Sequence, residues 1–179
     1  MNNILPYRKI LPTIDSSAFV ASNAIITGDT IIGKNSSIWF GCVVRGDVER
    51  VRIGDNTNIQ DNTVIHVTRA NHIANKTGDE GSPTLIGSNV TIGHSAIIHA
   101  CTIKDNTFIG MGAIVMDMAC VEEYAMLAAG AVLTPKKVVK SGQLWAGNPA
   151  KYFRDLTDIE KNFIKISADN YAQLAAEYK

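Results

Sequence analysis

Aliphatic side chains return at every sixth position along most of this chain. The series runs Ile14, Val20, Ile26, Ile32, Ile38, Val44, and resumes after three extra residues at Ile53, Ile59, Ile65. It resumes again at Ile86, Ile92, Ile98 and, one residue short, continues through Ile103, Ile109, Val115, Val121, Leu127 and Leu133 to Val139. A period of six is not the 3.6 of a helix, and β-branched residues dominate it, so the pattern predicts short strands separated by corners. Glycine follows the aliphatic position at Gly33, Gly54, Gly87, Gly93 and Gly110, and asparagine sits three after it at Asn35, Asn56, Asn62, Asn89 and Asn106. Both residue types tolerate tight corners. A strand of about five residues cannot bury its apolar edge alone, and stacked coils about 4.8 Å apart give it one continuous core.

Two segments leave the pattern. Residues 67–84 (VTRANHIANKTGDEGSPT) are polar and interrupt the repeat, either as a tolerated surface insertion or as a loop bordering a site. After Gly147-Asn148-Pro149-Ala150-Lys151 the period changes. Thr157-Asp158-Ile159-Glu160 reads as a capping box, and Ile159, Phe163, Ile166, Tyr171, Leu174 and Tyr178 fall near one face of the helix it opens. The expected organisation is a β-solenoid over residues 1–150 and a C-terminal α-helix over 151–179. The apolar helix face needs a surface to cover, either its own solenoid or a neighbour's.

Composition narrows the function. Of the 179 residues, 46% are hydrophobic and 19% charged, so a packed core is expected. The formal net charge is zero and no long basic or acidic run occurs, which makes nucleic acid and membrane surfaces poor candidate partners. The N-terminus lacks an apolar signal stretch, and Cys42, Cys101 and Cys120 form no paired motif. Reduced thiols in a cytoplasmic protein are the expectation.

The six-residue repeat resembles that of the hexapeptide-repeat proteins, over roughly residues 14–150. The resemblance implies an all-β solenoid, a left-handed parallel β-helix of triangular section with three hexapeptides per coil. Counting in threes from Ile14 puts Val44, Ile65 and Ile98 on the third face of successive coils. Arg45, His66 and His99 follow them in an outward column. His66 and His99 are thus one strand spacing apart and able to share a metal ion. His94 stands two after Ile92 on the second face, with Asp61 one coil before it and Gln60 beside that. It can join the same ion only if the second face of one chain docks on the third face of another. That contact is heterologous, and three copies close a ring. The phase therefore predicts a homotrimer with metal sites at its interfaces, and it brings Asp61 of one chain near Arg45 of the next.

At these residues the sequence also resembles the γ-class carbonic anhydrase family. The matching segments are Val44-Arg45-Gly46-Asp47, Ile59-Gln60-Asp61-Asn62 ending in His66, the His94–His99 spacing, and Phe108-Ile109-Gly110-Met111. The resemblance implies a homotrimer in which His66 and His99 of one subunit and His94 of its neighbour hold Zn2+, with Fe2+ or Co2+ as alternatives. The implied reaction is reversible hydration of CO2 to bicarbonate by a metal-bound hydroxide, the three histidines leaving the fourth position open. By the same resemblance Gln60 orients the hydroxide, and Arg45, Asp47 and Asp61 form an ion-pair network around site and interface. Tyr171 leans into the pocket or simply packs. Val48 stands where better-known members carry a glutamate, and Asp79 and Glu80 in the insertion are not obviously its equivalent. His72, also in the insertion, is either a proton-transfer group or a solvated residue. Other readings share the fold: a thioesterase-like hydrolase using the same hydroxide, a metal-stabilised scaffold, or a CoA-dependent acyltransferase with an isolated catalytic histidine.

Overall fold

A computed structural model describes residues 3–70 and 81–178. The chain forms a left-handed parallel β-helix closed by one C-terminal helix. Each hexapeptide supplies one short strand whose aliphatic residue points inward. Ile26, Ile38, Val44, Ile59, Ile65, Ile92, Ile98, Ile109, Val115 and Val121 have no solvent exposure. The third-face ladder pairs Ile26 with Val44, Val44 with Ile65, Ile65 with Ile98, and Ile98 with Val115. Inward residues thus stack on like residues from coil to coil. Strand N–H groups donate to carbonyls of the neighbouring coil, as Ile25 does to Cys42, Val43 to Thr63 and Ile97 to Ala113, while corner N–H groups such as those of Ala24 and Ala96 close turns within their own coil.

The corners follow the sequence. Asn35, Asn56, Asn62, Asn89 and Asn106 all adopt left-handed backbone conformations, with φ between 52° and 60°. Ser95, Met118, Tyr124 and Lys136 take the same conformation without an asparagine, so the corner geometry is imposed by stacking as well as by residue choice. One corner runs through without breaking the strand. Ile25–Ile32 and Val43–Ile53 pair continuously except for a register shift after Gly28 and Gly46. An added Cβ on Gly46 would lie 2.7 Å from the Asp29 carbonyl oxygen, so the Arg45-Gly46-Asp47 corner admits no side chain there. The three extra residues of the sequence pattern are absorbed in this bulged strand.

The solenoid extends past the sequence pattern at both ends. Ile4–Leu5 adds a parallel strand beside Ile26 and Thr27, and Gln143–Ala146 places Trp145 above Leu127. Lys151–Asp155 then turns back antiparallel on Gln143–Ala146, so the segment after Ala150 begins as a strand and the helix starts only at Asp158. The capping box at Thr157 and Glu160 is formed, and Arg154 clamps the Glu160 carboxylate with two hydrogen bonds of 2.7 Å.

The helix, Asp158–Glu177, lies along the second face over Ser37–Ile38, Asn58–Ile59 and Thr91–Ile92. Its packed face differs from the one expected. Ile164, Ser167, Ala168 and Ala175 are buried, whereas Ile159 is 82% exposed, and Phe163, Ile166 and Leu174 also remain exposed. The reason is the surface beneath, where the outward residues Ser37, Asn58 and Thr91 are small, polar and buried. Small helix residues approach such a surface closely, and Ser167 meets Thr91 at 3.0 Å while Asn56 donates to Asp169 at 2.9 Å. Tyr171 and Tyr178 pack their rings edge-on against Trp39.

Two outcomes follow. Leu127→Ala, at a position 1% exposed and far from the histidines, should cost about 2–5 kcal/mol in urea denaturation followed by circular dichroism. The Glu160 carboxyl is pulled down to about 2 by Arg154, then by the Thr157 backbone. A depressed carboxyl contributes stability that is complete above its unfolded value near 4.3 and is lost as pH falls through its folded value. The difference in melting temperature between the wild type and Glu160→Gln should therefore shrink between about pH 4.5 and pH 2; a constant difference across that window would show that the ion pair adds nothing.

Candidate metal centre

The third-face ladder carries the first half of the site. His66 and His99 are direct partners in parallel pairing, and their rings stand side by side with centroids 5.3 Å apart. Arg45 follows Val44, which pairs with Ile65, so Arg45 heads the same column. Behind each imidazole stands a carboxylate. Asp47 Oδ1 is 3.1 Å from His66 Nε2, and Asp117 Oδ1 is 2.7 Å from His99 Nδ1. Arg45 pairs with the other oxygen of Asp47, and the Thr68 hydroxyl donates to the other oxygen of Asp117. Together these six residues line part of an open cleft of about 570 Å³.

Charges in this cleft are balanced by hydrogen bonds. Burial pushes the Asp47 carboxyl up, but hydrogen bonds from Arg45, His66 and the Val48 N–H outweigh it and hold the group below the usual carboxylate range. Asp117 behaves alike, with burial opposed by Thr68 and His99. Burial lowers the His66 imidazole below its usual value despite Asp47, and the Arg45 and His99 charges add to that. His66 is therefore mostly neutral at pH 7, the state a metal ligand requires.

The second half of the site lies on another edge. Asp61 and His94 occupy equivalent corners of successive coils, where the chain leaves the second face, and His94 Nδ1 meets Asp61 Oδ2 at 2.8 Å. Gln60 is buried and its amide nitrogen donates to Asn58 Oδ1 at 3.1 Å. Asn58 in turn donates to Thr91, which meets Ser167 of the helix. Tyr171 is half-buried against Trp39; burial raises its phenol above the usual value and the charge of Asp61 adds to this, so the phenol stays protonated at neutral pH.

Within one chain, then, Arg45, Asp47, His66 and His99 come together, and Gln60, Asp61, His94 and Tyr171 gather on a different edge. Among the described residues no three His, Cys, Asp or Glu side chains of one chain converge closely enough to hold a metal ion. His72, Asp79 and Glu80 lie outside the described residues. Asp117 and Thr68 escaped the sequence reading. Asp117 falls just beyond the outward column, and only its pairing with the coil of His99 reveals it.

Gamma carbonic anhydrase 1, mitochondrial, of Arabidopsis thaliana is 52% identical over 164 residues, covering 92% of this chain and 58% of the plant protein. The chain thus spans little more than half of that relative's length. A carbonic anhydrase of Geobacillus kaustophilus is 38% identical over 176 residues, covering 98% of this chain and 91% of its own. Among solved structures, a hexapeptide transferase family protein from Anaplasma phagocytophilum superposes with a TM-score of 0.90 at 50% identity, over all of both chains. A candidate acetyltransferase from Bacillus cereus gives 0.89 at 36% identity, covering 98% of this chain and 95% of its own. No family model matches the chain.

The floor beneath Gln60 makes one measurable claim. Cys42 is fully buried and its Sγ donates to the Gln60 carbonyl oxygen at 3.0 Å. Burial pushes this thiol up to about 11. With iodoacetamide at pH 8, Cys42 should be labelled only after the protein is unfolded. Peptide mapping that finds folded protein alkylated at Cys42 would contradict this packing.

Proposed function

This chain belongs to the γ-class carbonic anhydrase family, and we propose on that premise that it hydrates CO2 reversibly at a divalent-metal site shared between subunits of a homotrimer. The observation that carries the proposal is the division of the histidines. His66 and His99 stand together on one edge, and His94 stands on another, each with a carboxylate against a ring nitrogen. A carboxylate on one imidazole nitrogen fixes the tautomer and strengthens the other nitrogen as a donor. His99 and His94 present this arrangement through Nδ1, which leaves Nε2 free, and His66 through Nε2, which leaves Nδ1 free; three such imidazole donors fit a Zn2+-type ion, with Fe2+ and Co2+ suited to the same imidazoles. His66 and His99 from one subunit and His94 from the next would hold it.

A second observation supports the assembly. The outward positions of the third face are aliphatic in coil after coil: Ile25, Val43, Val64, Ile97, Ile114 and Val132. Ile25, Val64 and Ile97 are each more than 40% exposed in the single chain. The helix packs on the second face, over Ser37–Ile38, Asn58–Ile59 and Thr91–Ile92, whereas this ladder keeps Ile25, Val64 and Ile97 open. A contiguous apolar strip beside two histidines is the kind of surface that a subunit contact buries.

When bound, such an ion acidifies water enough to supply hydroxide near neutral pH. The residues of this chain then divide the remaining work. Gln60, pinned through its nitrogen by Asn58, keeps its side-chain oxygen free of that bond to accept a hydrogen bond from the attacking water or hydroxide and so aim it. The protonated Tyr171 hydroxyl can donate to bicarbonate as it forms. Arg45 is half-exposed at the mouth of the cleft, where its charge favours an anionic product and can pair with Asp61 across the interface. A thioesterase-like activity would draw on the same hydroxide, and no feature of the cleft favours it over CO2.

His94→Ala tests the shared site directly. In protein purified without chelators, the variant should lose bound metal and CO2 hydration together, by elemental analysis and stopped flow, and its trimer should weaken in sedimentation equilibrium. Full metal occupancy in the variant, or a monomeric wild type that still holds metal, would overturn the assignment.

A further inference from the structure

We infer that Asp117 is a positioning residue for His99, and that Thr68 locks it, so that the stem of the 67–84 excursion is built into the metal centre. The inference rests on the metal site proposed above. Asp117 spends both carboxylate oxygens: Oδ1 takes the His99 Nδ1 at 2.7 Å, and Oδ2 takes the Thr68 hydroxyl. A carboxylate held at one oxygen can swing about its own bonds, whereas one held at both sets the plane in which the imidazole must lie. With a proton kept on Nδ1, the His99 Nε2 carries the free lone pair.

Thr68 is itself fixed by the backbone. It forms a two-way bridge with Ser82, the Thr68 N–H donating at 3.1 Å and the Ser82 N–H returning at 2.8 Å. The same stem reaches the backbone next to both histidines. The Ser82 hydroxyl donates to the Ala100 carbonyl at 3.2 Å, and the Thr84 hydroxyl donates to the His66 carbonyl. Met118, next to Asp117, donates its N–H to the same Ala100 carbonyl at 2.7 Å. The chain therefore leaves the repeat immediately after one ligand, is pinned at the neck, and spends a hydroxyl of that neck on the carboxylate behind the other ligand. A surface insertion with no role at the site would need only the backbone bridge.

Asp117 differs here from Asp47 and Asp61. Asp47 is paired with Arg45, an exposed side chain on the cleft mouth, and Asp61 with His94 at a corner. Asp117 alone among the three takes its second partner from the excursion.

The test uses Co2+ as the metal, because its visible spectrum reports ligand geometry independently of turnover. In the full chain, Asp117→Ala should weaken Co2+ binding about 10–100-fold and change the absorption bands of the bound ion. Asp117→Asn keeps an oxygen in place for Nδ1–H and should recover the band shape while retaining part of the affinity loss. Thr68→Val, which removes only the hydroxyl, should alter the bands in the same sense as Asp117→Ala but with a smaller affinity loss. Sedimentation mass and circular dichroism should match the wild type in all three. Wild-type affinity and spectrum in Asp117→Ala, with binding still abolished by His99→Ala, would overturn the positioning role and leave the metal site standing. A wild-type chain that takes up no Co2+ would overturn both.

Discussion

Everything in this molecule depends on parallel coils hydrogen-bonding to each other in register. The inward ladder of Ile, Val and Leu holds the coils together, and the backbone ladder fixes their spacing. Side chains on the outside inherit that spacing. His66 and His99 are neighbours because Ile65 and Ile98 are neighbours, and no loop has to fold correctly to bring them together. The same holds for Asp61 and His94 one edge away. Catalytic groups in most folds meet by tertiary chance that selection has refined. Here neighbouring outward side chains meet through the arithmetic of the repeat.

The price of that arrangement is exposure. The His94 and His99 imidazoles on the outside of a narrow prism stay partly open to water, which competes for their hydrogen bonds. The structure answers with carboxylates drawn from adjacent coils or corners: Asp47 beside His66, Asp61 beside His94, Asp117 beside His99. Two of these carboxyls sit below the usual range because hydrogen bonds outweigh their burial, so they remain ionised as acceptors well into mild acid. The helix completes the support from the other side. It reaches Gln60 through the chain Ser167, Thr91, Asn58, and brings Tyr171 within the field of Asp61.

Much of this could be read from the sequence because the signal and the structure share one period. The aliphatic series located the inward positions, the asparagines located the corners, and simple counting put His66 and His99 in one column and His94 outside it. What could not be read lay where the period gives no guidance. Hydrophobicity alone points to Ile159, Phe163, Ile166 and Leu174 as the packed helix face, whereas the polar sheet beneath selects the small residues Ser167, Ala168 and Ala175, with Tyr171 and Tyr178 reaching Trp39 at one end. Lys151–Asp155 returned as a strand because Gln143–Ala146 offered an edge that no hexapeptide pattern announces. Asp117 and Thr68 were invisible because their partnership links a corner to an interruption of the repeat.

The corner at Gly46 has a wider consequence. The inward face of each hexapeptide answers to the core, whereas outward corner residues such as Asp61 and His94 answer to backbone conformation and to their neighbours one coil away. Histidine and aspartate can be gained or lost at such exposed corners without disturbing the inward aliphatic ladder, whereas the buried Gln60 is tied to Asn58 and Cys42. A scaffold built this way keeps its architecture while its chemistry is rewritten at the edges, one corner at a time. Likeness of the coils alone therefore does not fix the chemistry carried at the edges.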